Sequence, residues 1–177
     1  MGVAVVLYFD EITEKTIFSI WQNLAKKRLS SYLLDIGIRP HITLAAFEQA
    51  DIKSLSDMTR TFAGDTKSFE INLCSVGSFP VSERLIYYLP VPTKQLLGIH
   101  SEYYNFIRPI GLNWGNYYLP ENWVPHCTVA EKVFDENVFK QTFWYCCNAG
   151  IPIKGRITHI GIFEFMPVKE IACFGLN

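Results

Sequence analysis

Neither sign of charge dominates this chain: 16 Lys and Arg stand against 17 Asp and Glu, a formal net charge of −1. That balance excludes a protein held on duplex nucleic acid by a basic surface, while leaving room for local contact with a phosphate. Long apolar runs are missing too. The N-terminal run GVAVVLYF stops at Asp10, far short of the roughly 18–20 residues of a membrane helix, and no basic segment precedes it. It reads as a buried first strand, neither signal peptide nor anchor, and no membrane partner is expected. Cysteines are few and irregular: Cys74, Cys127, Cys146, Cys147 and Cys173 are an odd set without a disulfide rhythm, which favours a reducing, cytoplasmic compartment. No HExxH spacing or carboxylate cluster offers a metal site, so neither metal nor cofactor is expected. Histidines number only four: His41, His100, His126 and His159.

What is present is a globular core-former. The 177 residues are 49% hydrophobic, enough for one domain or two small lobes sharing a core. After strand 2–9, Asp10 is placed to cap a helix whose Ile17, Ile20, Trp21, Leu24 and Ala25 keep helical spacing. Lys26-Lys27-Arg28 falls near the end of that helix, where cations suit the dipole; the rival reading is a phosphate-binding patch. Gly37 and Pro40 deliver the chain into the strand HITLAAF. A helix over 51–62 follows, then strands FEINLCSVGSF and RLIYYLPV joined by a turn at VSER. A helix over 93–107, the loop PIGLNWGNYYLPENWV, the strand HCTVAEKV, a helix over 135–147, and strands IKGRITHIGIFEF and EIACFGL complete the chain.

Two short stretches match. PHITL at 40–44 and PHCTV at 125–129 place a histidine, a threonine two residues on and a preceding proline in one frame. The match extends: His41 and His126 are 85 residues apart, Gly77-Ser78-Phe79 and Gly161-Ile162-Phe163 are offset by 84, and Ile86 and Ile171 by 85. The implied fold is α+β: a duplicated unit forming one bilobal domain over 1–177. Its halves cover about 10–92 and 93–177, with strand 2–9 added. Two antiparallel sheets are expected around a central cleft, with helices outside and a pseudo-twofold axis between the lobes.

Residues two apart on a strand share a face, so each histidine stands beside its threonine. About a twofold axis the pairs His41–Thr43 and His126–Thr128 face each other. Two imidazoles that titrate near neutrality can serve as base and acid on opposite sides of a phosphodiester, with the threonine hydroxyls holding its non-bridging oxygens.

These paired motifs, His41-Ile42-Thr43-Leu44 and His126-Cys127-Thr128-Val129, resemble the H-h-[ST]-h signature of the two-histidine phosphoesterases. That superfamily includes the RNA 2′,3′-cyclic phosphodiesterases, also called 2′-5′ RNA ligases. The resemblance spans essentially the whole chain. It implies metal-independent cleavage of cyclic or 2′-5′ phosphodiesters, with His41 and His126 as the acid–base pair and Thr43 and Thr128 binding phosphate. The implied substrates are RNA ends or small cyclic nucleotides, with ligation as the reverse reaction. A non-catalytic nucleotide-binding protein using the same cleft is the alternative, and a monomer is expected. A metal site on His41 and His126 with Cys127 nearby is disfavoured, because alternation turns Cys127 to the other face.

The remaining candidates divide. Arg39 either steadies the phosphate or is an ordinary arginine before a strand. Tyr118 and Trp123, in the aromatic loop, either meet a nucleobase or pack the loop down. His100, aligned with Leu96 and Tyr103, reads as a core histidine, and His159 as structural.

Overall fold

The computed structural model describes residues 2–79 and 84–177. Most of the turn expected at 81–84 lies outside the described residues. Strand β1 covers Gly2–Phe9, α1 Glu11–Lys26, α2 Tyr32–Asp35, β2 His41–Phe47, α3 Ile52–Asp65, β3 Phe69–Gly77 and β4 Ile86–Pro90. After these come α4 Lys94–Ile107, β5 Cys127–Ala130, α5 Glu136–Cys147, β6 Ile153–Phe165 and β7 Lys169–Gly175, with two short 3-10 turns at Arg108–Ile110 and Asn116–Tyr118.

The longer helices start where short polar side chains cap orphan amides. Asp10 accepts from the amides of Ile12 and Thr13, at 3.1 and 3.0 Å. Thr93 caps α4 through the Leu96 amide and Asp135 caps α5 through the Val138 amide. Asp10 also takes the Arg156 amide at 2.6 Å, so one carboxylate joins the end of β1, the start of α1 and the middle of β6. Each helix then buries one stripe: Ile17, Ile20, Trp21 and Leu24 on α1; Leu96, Ile99, Tyr103 and Ile107 on α4.

The strands alternate as expected of a sheet with two covered faces. Val3, Val5, Leu7 and Phe9 of β1 enter the main core beneath the helices, whereas Ala4, Val6 and Tyr8 join Phe163 in a second, smaller cluster on the opposite face.

Two expectations change here. The strands form one hydrogen-bonded network, ordered β2-β1-β6-β3-β4-β5 with β7 beside β6, where two separate sheets were expected. The 13-residue β6 joins them: its first part pairs with Phe69–Leu73 of β3 and its remainder with β1. The repeat boundary also moves. The strand order reads the same from both ends when β1 is matched with β4, β2 with β5 and β3 with β6. The repeating unit is thus strand-helix-strand-helix-strand, beginning at β1 and again at β4. The added element is β7, not strand 2–9, because β4 lies between β3 and the motif strand β5 while β7 lies on the far side of β6 from β1.

Candidate active site

Both motif strands end the sheet path, and the sheet curls until β2 and β5 approach within 8 Å Cα to Cα without being hydrogen-bonded neighbours. The cleft is the inside of that curl. Ile42, Leu44, Cys127 and Val129 are buried in the core, while His41, Thr43, His126 and Thr128 on the alternate face are only partly buried. Cys127 therefore faces away from the cleft, and burial pushes its thiol up to about 12. Among the described residues no group of three or more His, Cys, Asp or Glu side chains is placed to hold a metal ion.

The two histidines are built alike. His41 Nδ1 lies 2.7 Å from the Arg39 carbonyl and His126 Nδ1 lies 2.7 Å from the Val124 carbonyl. A carbonyl only accepts, so each Nδ1 carries the proton and each neutral ring leaves Nε2 unprotonated. The proline between each histidine and its carbonyl holds the preceding residue extended, which keeps that carbonyl in reach. Phenylalanine edges back both rings: Phe163 against His41 at 5.4 Å and Phe79 against His126 at 5.0 Å. These contacts explain the second matched stretch. Gly77 and Gly161, two residues before each phenylalanine, leave room for the rings of Tyr87 and Tyr8, which an added Cβ would strike at 2.5 and 2.1 Å.

Burial, and then the neighbouring His126, push His41 down to about 4, against the pull of the Arg39 carbonyl. Burial also lowers His126, with the Val124 carbonyl working the other way.

The aromatic loop is anchored to the first motif strand. Trp123 donates its indole N–H to the Thr43 carbonyl at 2.9 Å and stacks on His100 at 4.0 Å between centroids, with 9° between planes. His100 in turn bonds the Leu44 carbonyl at 3.1 Å, and burial holds it down to about 4. Trp123 is therefore a packing residue, only 9% exposed, and His100 is a core histidine. Tyr118 behaves differently: its hydroxyl reaches Thr43, and burial keeps the phenol protonated above its usual range.

Arg39 commits its guanidinium to carboxylates and a ring face. Its guanidinium bonds Glu14 at 2.9 and 3.0 Å and Glu170 at 2.9 Å, and stacks over Tyr8 at 4.0 Å. The fork is occupied by carboxylates, and what Arg39 offers His41 is its backbone carbonyl. His159 shares the row of Tyr8 and His41 across the sheet and pairs its Nδ1 with the Thr158 hydroxyl at 2.9 Å. The roles of Phe79, Phe163, Tyr8 and Tyr87 were not assigned from sequence, although the glycine–phenylalanine register pointed at them.

Among curated protein sequences none matches the chain significantly. Solved structures do. LigT of E. coli, solved with 3′-AMP, is 12% identical with a TM-score of 0.63, covering 99% of this chain and 97% of that one. TT0787 of Thermus thermophilus is 14% identical with a TM-score of 0.66, covering 99% and 98%. A further structure described as a phosphoesterase is 13% identical, with a TM-score of 0.61 and coverage of 99% and 97%. At these identities the likeness is one of fold. The family model of the 2′-5′ RNA ligase superfamily matches residues 19–165, most of the chain and both histidine motifs, and the protein belongs to that superfamily.

Proposed function

We propose that the protein is a metal-independent phosphodiesterase that hydrolyses 2′,3′-cyclic phosphates at nucleotide or RNA ends. The observation that carries this is the pair of alike-built imidazoles, each with its Nδ1 proton directed onto a backbone carbonyl and Nε2 left for chemistry. Acid–base catalysis uses the singly protonated pair, with one imidazole as base and the other as acid. Water attacks phosphorus as the neutral histidine takes its proton. The bond from phosphorus to one ribose oxygen breaks, and the protonated histidine delivers its proton to that oxygen. Thr43 and Thr128 donate to the non-bridging oxygens, where charge gathers in the transition state. The product is a ribose monophosphate with one free hydroxyl, the chemical class of the 3′-AMP found with LigT. With a ribose 5′-hydroxyl in place of water as the attacking group, the same ring opening releases the 3′-oxygen and joins ends through a 2′-5′ bond.

We place the protein in the cytoplasm as a monomer. Its five cysteines are unpaired and three of them, Cys74, Cys147 and Cys173, are exposed, a set suited to a reducing compartment.

The test is turnover of 2′,3′-cyclic nucleotides with chelator present. His41→Ala and His126→Ala should each lower kcat by roughly 10²–10⁴-fold. Tight nucleotide binding without turnover in the unaltered protein would instead identify a binding protein that keeps the cleft. Loss of activity on chelation would refute the metal-free scheme.

A further inference from the structure

Resting on the phosphodiesterase reading, we propose that Arg39 is a positioning residue: Glu14 and Glu170 clamp its guanidinium, and the clamp fixes the backbone carbonyl that orients His41. The device serves one histidine of the pair. Every guanidinium nitrogen is used. Nε and Nη2 donate to the two carboxylate oxygens of Glu14 at 2.9 and 3.0 Å, and Nη1 donates to Glu170 at 2.9 Å. The guanidinium carbon lies 4.0 Å from the centre of the Tyr8 ring. A bidentate pair fixes the plane of the guanidinium as well as its place. Its anchors come from separate elements, Glu14 from α1, Glu170 from β7 and Tyr8 from β1. The carbonyl of this same residue takes the Nδ1 proton of His41 at 2.7 Å. Part-exposed ion pairs of this kind add little to stability one by one, so what the cluster supplies is orientation.

Strand β7 makes the device one-sided. Glu170 pairs with Phe163 across the β6–β7 ladder, and Phe163 is the ring that braces His41 at 5.4 Å. One rung thus delivers both the brace and a carboxylate of the clamp. Tyr8, under the guanidinium, is the partner of His41 on the β1–β2 ladder. Among the described residues no strand takes the corresponding place beside β3, whose partners are β4 and the first part of β6. The carbonyl that orients His126 belongs to Val124, an exposed apolar residue whose side chain can form no ion pair. Which nitrogen of a neutral imidazole holds the proton is set by the hydrogen bond made at the other. A carbonyl free to wander loosens that choice, and an Nε2 that already carries a proton cannot serve as base.

The experiment reads the ring nitrogens by NMR at about pH 8, where neutral imidazole prevails, and turnover of adenosine 2′,3′-cyclic monophosphate. Arg39→Met keeps the stem and the backbone carbonyl and removes the fork. The unaltered protein should show both histidines protonated on Nδ1. In Arg39→Met, His41 should become a mixture of tautomers while His126 stays as it was. Its kcat should fall about tenfold with KM within about twofold, since the guanidinium orients a catalytic group and does not hold substrate. Arg39→Lys, whose point charge cannot reproduce the fork, should fall between the two. Glu14→Gln combined with Glu170→Gln tests the same clamp from its other side, and serves if Arg39→Met does not fold. Lys140→Met, which breaks an exposed pair with Glu136 on α5, should alter neither readout. An unchanged His41 tautomer in the clamp variants would overturn the proposal, as would equal changes at His41 and His126. A raised KM at unchanged kcat would also overturn it, by making Arg39 a phosphate ligand. Absence of turnover in the unaltered protein would remove the phosphodiesterase reading, and the tautomers would still decide whether the clamp orients His41.

Discussion

His41 and His126 are set by contacts one residue wide. Each ring is tethered by a carbonyl two residues earlier and braced by a phenylalanine edge, and each loses basicity to burial. The direction of that loss fixes a pH profile. An ordinary histidine titrates near 6.5; here His41 is pushed down to about 4 and His126 is also lowered. The free enzyme holds one proton on the pair only at pH values below the ordinary histidine range. The optimum of kcat/KM, which reports the free enzyme, should therefore lie on the acid side of about 6.5 and fall as pH rises. Bound phosphate favours protonated imidazole, so the optimum of kcat should lie higher. Rates from pH 4 to 9 at low and saturating substrate measure both, and a kcat/KM optimum above neutrality would contradict the burial. At this scale the sequence was legible in part. The two HxT frames announced themselves, and period two sent Ile42 and Cys127 to the core. The phenylalanine braces were marked only by the matched Gly-x-Phe register and not as contacts, because Phe163 reaches His41 from a strand more than a hundred residues away.

Among the elements, Asp10 shows how a cap becomes a joint. Burial works against its charge, yet amides of Thr13, Arg156 and Ile12 and the Thr13 hydroxyl hold the carboxyl below its usual range. Asp135 caps α5 through the Val138 amide. Asp135→Ala should thus cost about 1 kcal/mol, the usual price of a lost cap. Asp10→Ala should cost roughly 2–3 kcal/mol, because the Arg156 amide also loses its partner. Urea denaturation of the two variants compares them directly, and equal losses would show that the bond to β6 contributes nothing. Element types and order were readable from sequence: apolar spacing, caps and prolines act locally. The exchange of β1 for β7 as the added strand was not. Strands β4 and β7 follow their hairpin partners at matching offsets, and only hydrogen-bonded pairing shows that β1 holds the place of β4.

The molecule as a whole is two units held in register across a cleft, and Trp123 is one of the ties. It belongs to the second unit, yet its indole N–H bonds the carbonyl of Thr43 in the first. Trp123→Phe keeps an aromatic ring against His100 and removes that donor. The part-buried carbonyl left unpaired should cost roughly 1 kcal/mol of stability. Turnover should fall about tenfold, because Thr43 carries both the carbonyl and the hydroxyl we propose for the phosphate. Thermal unfolding and steady-state kinetics read the two effects, and unchanged values in both would show that the tie does not hold the site.

By itself the sequence determined the α+β element order, the duplication, the two histidine–threonine faces and the burial of the residues between them. Those features rest on spacing along the chain, on periods of 2.0 and 3.6 residues and on caps within a turn of their helices. Tertiary structure decided the rest. It joined the strands into one curled network, engaged Arg39 with two glutamates and put Trp123 in the core. Each of those outcomes depends on side chains from distant segments meeting in space, and PHITL and PHCTV became one site only when the ends of the sheet closed on each other.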